Sequence, residues 1–230
     1  MSNSPASERV LFDFAASGPK SAWILVNDDV MGGVSTSFFR QADGTAVFSG
    51  EVSLENNGGF ASVRSQPARH DLSGCDTFVI SVRGDGRRFK FTVRMETGFD
   101  APLYRCGFTT KAGEWQEHRF PIADFVPSLR GRILTDAPPL DPSRVRSVGF
   151  LISDKQAGAF RLEVASVKAV PGRQPQTVSG GAAQEKTDAQ HFQTQTVLHS
   201  ATLMPGFPIV AHEQIIQSHA KLFGLYRSVS

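Results

Sequence analysis

The sequence predicts an all-β chain, an antiparallel sandwich or barrel followed by a polar linker and a tail. Three observations predict it. Apolar and polar residues alternate with period two through the middle of the chain. Turn-forming clusters of Gly, Asn and Asp separate the alternating runs at short intervals, with little helical periodicity between them. Phenylalanine occurs 18 times against two tryptophans and two tyrosines, the usage of a core filler rather than of a binding surface.

The elements follow in chain order. "VNDDVMGGVS" (26–35) reads as a corner: Asn and Asp hydrogen-bond to nearby backbone, and Gly32–Gly33 permit positive φ or close chain approach. "ADGT" is a turn signal, and "LENNGGFASVRS" supplies a second Asn/Gly turn leading into a strand. In that strand Phe60, Ser62 and Arg64 share one face, and Ala61 and Val63 the other. An arginine beside a phenylalanine sits at a rim or pairs with a carboxylate, and Asp28 or Asp29 is the expected partner. "TFVISVRG" alternates Phe78, Ile80 and Val82 against Thr77, Ser81 and Arg83. After "RGDGR", the run "RRFKFTVRME" puts Phe89, Phe91, Val93 and Met95 inside and Lys90, Thr92 and Arg94 outside. "TKAGE" precedes "WQEHRFPIADF", a strand running into a packed corner at Phe120, Ile122 and Phe125, with Trp115 expected to be partly buried. The proline-rich "DAPPLDPSR" leads into "SVGFLISDK", which alternates Val148, Phe150 and Ile152. "DKQAG" then turns into "GAFRLEVASV", with Phe160, Leu162 and Val164 set against Arg161 and Glu163.

The β domain is expected over residues 8–171. A Gly/Ser/Gln/Pro-rich linker without periodicity is expected over 172–200. A tail over 201–230 places Ile215, Ile216, Leu222, Phe223 and Tyr226 near one face of a candidate amphipathic helix.

At 230 residues the chain needs no disulfide or metal staple. Its net charge of +2 is too small to argue for nucleic acid. Seventeen arginines to seven lysines suit bidentate or stacked contacts. Cys75 and Cys106 either pair or remain buried thiols. The start lacks the basic and apolar regions of a signal peptide, and no apolar run reaches membrane-spanning length, so a cytoplasmic location is expected.

No catalytic set assembles. Paired carboxylates can share a proton or hold a metal, but Asp28 and Asp29 have no regular series of oxygen ligands around them. "MGGVS" lacks the lysine of a phosphate loop. The six histidines show no zinc spacing, and no serine or cysteine sits in a nucleophile signature. No catalytic residue, metal site or cofactor is therefore expected. Arg64, Arg83, Arg94 and Arg105 are candidates for the polar face of one sheet, where RNA, an acidic protein or an anionic ligand would bind, although a solvated face paired with carboxylates is the expectation.

Taken in order, "WILVNDDVMGGVS" (23–35), "FSGEVSLENNGGFASVR" (48–64), "YR" (104–105), "WQEHRFPIADF" (115–125), "SVGFLISD" (147–154) and "GAFRLEV" (158–164) resemble the complex I intermediate-associated protein 30 family. The resemblance covers about Val10 to Val170. It implies a galactose-binding-like jelly-roll β-sandwich, similar to certain carbohydrate-binding modules. It also implies a non-enzymatic, chaperone-like assembly factor for respiratory complex I (NADH:ubiquinone oxidoreductase), with an assembly intermediate as protein partner and no insertion into the membrane. The expected contact surface joins Asn27, Asp28, Asp29, Met31, Gly32 and Gly33 to Asn56, Asn57, Gly58, Gly59 and Arg64. Trp23, Tyr104, Arg105 and Trp115 are the remaining signature residues. The alternative is a carbohydrate- or small-ligand-binding module, and RNA binding through sheet arginines is a weaker one.

Overall fold

The alternating runs become strands in two antiparallel sheets. The computed structural model describes residues 7–16, 21–98 and 100–172. In chain order the strands are β1 (Arg9–Asp13), β2 (Trp23–Asn27), β3 (Thr36–Ala42), β4 (Thr45–Val52), β5 (Ala61–Ser65), β6 (Thr77–Gly84) and β7 (Arg88–Arg94). They continue as β8 (Leu103–Thr109), β9 (Trp115–Pro121), β10 (Val126–Leu129), β11 (Arg132–Ile133), β12 (Ser147–Ile152) and β13 (Gly158–Val170). Helical geometry among the described residues is confined to short 3-10 turns, and no helix there is long and apolar enough to cross a membrane.

One sheet runs β3-β4-β13-β6-β9 with β1 added beside β13, and the other runs β11-β10-β8-β7-β12-β5-β2. The architecture is the expected jelly-roll β-sandwich. Turn chemistry sets register where it is tight: β3 and β4 are joined through Asp43 (φ 52°) and Gly44 (φ 75°), both left-handed as a two-residue hairpin demands. The 13-residue strand β13 is long enough to pair β4 with its first half and β1 with its second. A register shift between Val164 and Ser166 marks the change.

Each sheet turns its apolar face inward. Phe78, Ile80 and Val82 of β6 and Phe89, Phe91 and Val93 of β7 are all fully buried. Aromatic contacts stitch the layers together. Phe91 lies 5.4 Å from Phe78 and 5.5 Å from Phe120 across the sandwich, and 5.7 Å from Phe150 within its own sheet. Each such pair adds roughly 0.5–1.5 kcal/mol beyond the area it buries. Cys75 is buried and Cys106 half-buried, and both are free thiols. Burial pushes both thiols above their ordinary pKa. The linker and tail expected over 172–200 and 201–230, with the candidate helix and four of the six histidines, lie outside the described residues except for Gly172.

Candidate functional site

The corner at 26–35 is built on one carboxylate. β2 ends at Asn27, and a 3-10 turn, Asp28–Met31, closes on Gly32 at φ 89°. The turn drives the Asp28 side chain inward, where it is fully buried. Its Oδ1 accepts from the Ser35 amide at 2.9 Å. Its Oδ2 accepts from the Ser35 hydroxyl at 2.5 Å, the Gly59 amide at 2.6 Å and the Phe60 amide at 3.2 Å. One side chain thus ties the first motif to the second. The second loop reaches it through three left-handed residues, Asn56, Asn57 and Gly59. Both loops must approach the carboxylate closely, and glycine permits it. A Cβ at Gly33 would lie within van der Waals overlap of the Asp28 carboxylate, and one at Gly58 would stand 2.6 Å from Oδ2. Asn27 adds a tie of its own, accepting from the Ser37 hydroxyl at 2.6 Å.

This arrangement decides what Asp28 can do. Burial pushes its pKa up, but the donors from Ser35, Gly59 and Phe60 together outweigh burial and hold the carboxyl below the usual range. Four donors engage the carboxylate here, three on Oδ2 and one on Oδ1. Asp28 is therefore spent as a base or ligand and acts as a clasp. Asp29 is exposed. Among the described residues no group of three or more His, Cys, Asp or Glu converges as a metal site.

The expected tie between Arg64 and Asp28 or Asp29 does not form. Among the described residues Arg64 has no carboxylate within ion-pair distance. The reason is physical: backbone amides already saturate Asp28 at lower desolvation cost than a second buried charge. Arg64 instead turns, with Phe60 and Ser62, into a cleft of about 660 Å³ over the outer face of the β11-to-β2 sheet.

Strand register organises the cleft floor. Arg64 of β5 pairs with Gly149 of β12, Gly149 with Thr92 of β7, and Thr92 with Arg105 of β8. Arg94 stands one step along, opposite Ser147, and Lys90 stands on the other side, opposite Leu151. Lys90 is neutralised by Asp154 at 2.5 Å, and Arg130 at the edge by Asp100 at 2.7 Å. Among the described residues Arg64, Arg94 and Arg105 have no carboxylate within 4.0 Å. Arg64 Nε is buried with no partner there. Burial, and then the charge of Arg64, pulls Arg94 down. The corner supplies the rim, where Val30 (55% exposed) and Met31 (61%) present apolar side chains to solvent.

The other sequence-predicted residues do not join this site. Trp23 packs into an aromatic cluster, 4.7 Å from Phe39 and 5.0 Å from Phe12. Tyr104 belongs to the core, its hydroxyl donating to the Pro138 carbonyl at 2.8 Å. Trp115, expected to be partly buried, is exposed on β9 of the opposite sheet, with Arg83 stacked 5.1 Å above it. Arg83 also pairs with Glu163 at 2.6 Å, so the four candidate arginines do not share one face. Sequence reasoning left Lys90 and Arg130 out of the site. The alternation in "RRFKFTVRME" carried the signal for Lys90, since it placed that residue beside Thr92 and Arg94.

A family model described as Complex I intermediate-associated protein 30 matches residues 12–164. The Mus musculus protein named "Complex I intermediate-associated protein 30, mitochondrial" is 29% identical over 177 residues, covering 68% of this chain and 54% of its own length. The Drosophila melanogaster protein of the same name is 28% identical over 183 residues, covering 70% and 62%. The chain spans about half the length of the curated relatives it matches. Among solved structures, a family 11 carbohydrate-binding module of a Clostridium thermocellum cellulase superposes with a TM-score of 0.56 at 15% identity, covering 74% of this chain and 97% of that one. A second structure of that module, in complex with a β-1,3-1,4-mixed-linked tetrasaccharide, gives 0.55 at 16% identity, covering 73% and 98%. At such identity the likeness shows the fold alone. The relatives' names also correct the expected cytoplasmic location, because they are named as mitochondrial proteins. The composition of a chain's first residues does not decide its compartment when the chain spans only part of its relatives' length.

Proposed function

The chain belongs to the complex I intermediate-associated protein 30 family, and on that premise we propose that it is a non-catalytic assembly factor that binds a protein intermediate of respiratory complex I. The relatives are named as mitochondrial, and the reading takes the same setting for this chain.

The observation that carries the reading is the clasp at Asp28. The two most distinctive motifs converge on a buried carboxylate that accepts four hydrogen bonds from the two loops. The most deeply buried acid of the site is therefore structural, and it holds a rigid rim with Val30 and Met31 exposed beside the cleft. Exposed apolar side chains on a braced loop suit recognition of a partner surface. Asn27, Gly32, Asn56 and Asn57 then belong to the scaffold of the contact surface, and Met31 and Arg64 to the surface itself.

Tagged protein purified from its own cells and separated by native electrophoresis tests the reading. We expect it to migrate with complex I subunits in a subassembly smaller than the finished complex, and a Val30→Asp/Met31→Asp variant to migrate alone. Wild-type protein that migrates free of complex I subunits would overturn it.

A carbohydrate-binding role is the second reading, supported by the fold likeness to sugar-binding modules. Against it, Phe60 is the one aromatic side chain lining the cleft among the described residues, and neither tryptophan nor tyrosine does. Sugar rings are recognised largely by stacking on such side chains.

A further inference from the structure

We propose that the cleft over β5, β12, β7 and β8 is a docking groove for an extended acidic segment of the protein partner, with its carboxylates on Arg64, Arg94 and Arg105. This deepens the assembly-factor reading and rests on it.

Charge complementarity selects the occupant. The floor carries three arginines with no carboxylate partner among the described residues, and the one acid lining it, Asp154, is already matched by Lys90. Arg94 donates to the Ala101 carbonyl at 3.3 Å and Arg105 to the Gly131 carbonyl at 3.4 Å, contacts that leave their charge unmatched, and a partly desolvated charge is costly unless an anion joins it. The buried, unpartnered Nε of Arg64 is a donor awaiting an acceptor. Burial first, and then the Arg64 charge, lowers the Arg94 pKa, as two cations sharing one cleft should.

Spacing distinguishes an extended acidic chain from a single anion. Arg64 and Arg105 stand in one cross-strand row, three strands apart, which is about 14 Å at the usual strand separation. Lys90 and Arg94 lie four residues apart on β7, about 13 Å at the usual rise. No single phosphate or carboxylate spans that floor. A peptide of four or five extended residues does, with alternate side chains pointing down at about 7 Å intervals. Gly149 contributes no side chain to the row, and a Cβ there would strike the Val63 carbonyl. The Val63 carbonyl and the Thr92 hydroxyl close in over Gly149, so the row carries no side chain between Arg64 and Thr92. Leu103 and Leu151 supply apolar floor between the charges, and Val30 and Met31 supply an apolar stop at the corner. A nucleic acid would instead call for several aromatic platforms.

The test uses the full chain, a fluorescein-labelled (Glu-Ala)6 peptide and its (Gln-Ala)6 counterpart, read by fluorescence anisotropy. The Glu peptide should bind at least tenfold more tightly than the Gln peptide, and its affinity should fall steeply with salt. Arg64→Gln and Arg94→Gln should each weaken it by roughly tenfold or more, the scale of a lost charge-assisted hydrogen bond. Arg105→Gln should weaken it as well, and Arg83→Gln on the opposite sheet should change nothing. Melting curves establish that each variant is folded. Equal binding of the two peptides, or unchanged binding by folded Arg105→Gln together with either of the other variants, would overturn the proposal. So would displacement of the peptide by inorganic phosphate, poly(U) RNA or anionic vesicles at equal charge concentration. Failure here with complex I subunits still co-migrating would remove the groove and leave the assembly-factor reading standing; loss of co-migration would remove that reading itself.

Discussion

Asp28 is the residue on which both motif loops depend, so its replacement should be felt by the whole domain. Asp28→Asn keeps the shape but loses the charge and turns an amide donor toward donors. It should lower unfolding stability by about 2 kcal/mol, and Asp28→Ala by roughly 3–5 kcal/mol, since buried donors are left unpaired. Gly33→Ala should cost about 1–3 kcal/mol through overlap with the carboxylate. Gly32→Ala, with open space around it, should cost only the roughly 1–2 kcal/mol of left-handed backbone. Urea midpoints of the four variants give this order directly. The acid limb follows from the sign of the shift. Donors hold the folded pKa of Asp28 below its ordinary value. Its contribution is therefore present above that ordinary value and is lost as pH falls through the folded one, and Asp28→Asn should lack that loss. At this scale the sequence was half legible. "NDDVMGG" and "NNGG" announced paired turns and a carboxylate with a structural role. The partner was misassigned to Arg64 because side-chain chemistry suggests ion pairs, whereas backbone amides brought close by Gly33 and Gly58 depend on a fold that local sequence does not display.

Strands were the most legible level. Alternation in "TFVISVRG", "RRFKFTVRME", "SVGFLISDK" and "GAFRLEVASV" gave the right buried faces for β6, β7, β12 and β13, because a half-buried strand writes its periodicity into the chain. Which strands lie side by side was not legible. Arg83 and Arg94 look alike in sequence, yet β6 and β7 belong to different sheets. Non-local pairing therefore separated one candidate arginine from the other three. β9 carries a prediction of its own. His118 packs 4.9 Å from Phe108, and His70 sits 6.3 Å from Phe12. The Nε2 atoms of both are buried without a hydrogen-bond partner among the described residues. Burial pulls both pKa values below the ordinary histidine value of 6.5. The unfolded chain then binds protons before the folded one does, so stability should fall as pH drops through about 6.5 and continue to fall toward the folded values. Melting temperature between pH 8 and pH 5 checks this, with His118→Phe flattening part of the slope.

The described residues form a sandwich whose inner faces are apolar and whose outer β11-to-β2 face carries a cationic cleft rimmed by the Asp28 corner. The fold class was legible because alternation, turn spacing and phenylalanine usage all agreed. The cleft was legible in part: of the four arginines expected on one sheet face, Arg64, Arg94 and Arg105 line it, whereas the place of Arg83 and the addition of Lys90 and Arg130 depend on which strands lie side by side. A module of the same fold is known in complex with a tetrasaccharide, and a fold by itself does not name a ligand. Here the cleft is lined by Arg64, Arg94 and Arg105, with Asp154 as its one acid among the described residues. If the partner is held on this face, zero-length carbodiimide cross-linking of the captured complex finds it there most directly, since the reagent joins lysine amines to carboxylates in contact. Lys90 is already matched by Asp154, so an Arg64→Lys variant supplies the free amine on the cleft floor. That amine should be joined to Asp or Glu residues of the partner, and exposed Lys111 on the loop before β9 should not. Cross-links to the partner from Lys111 or Lys168, with none from position 64, would contradict it.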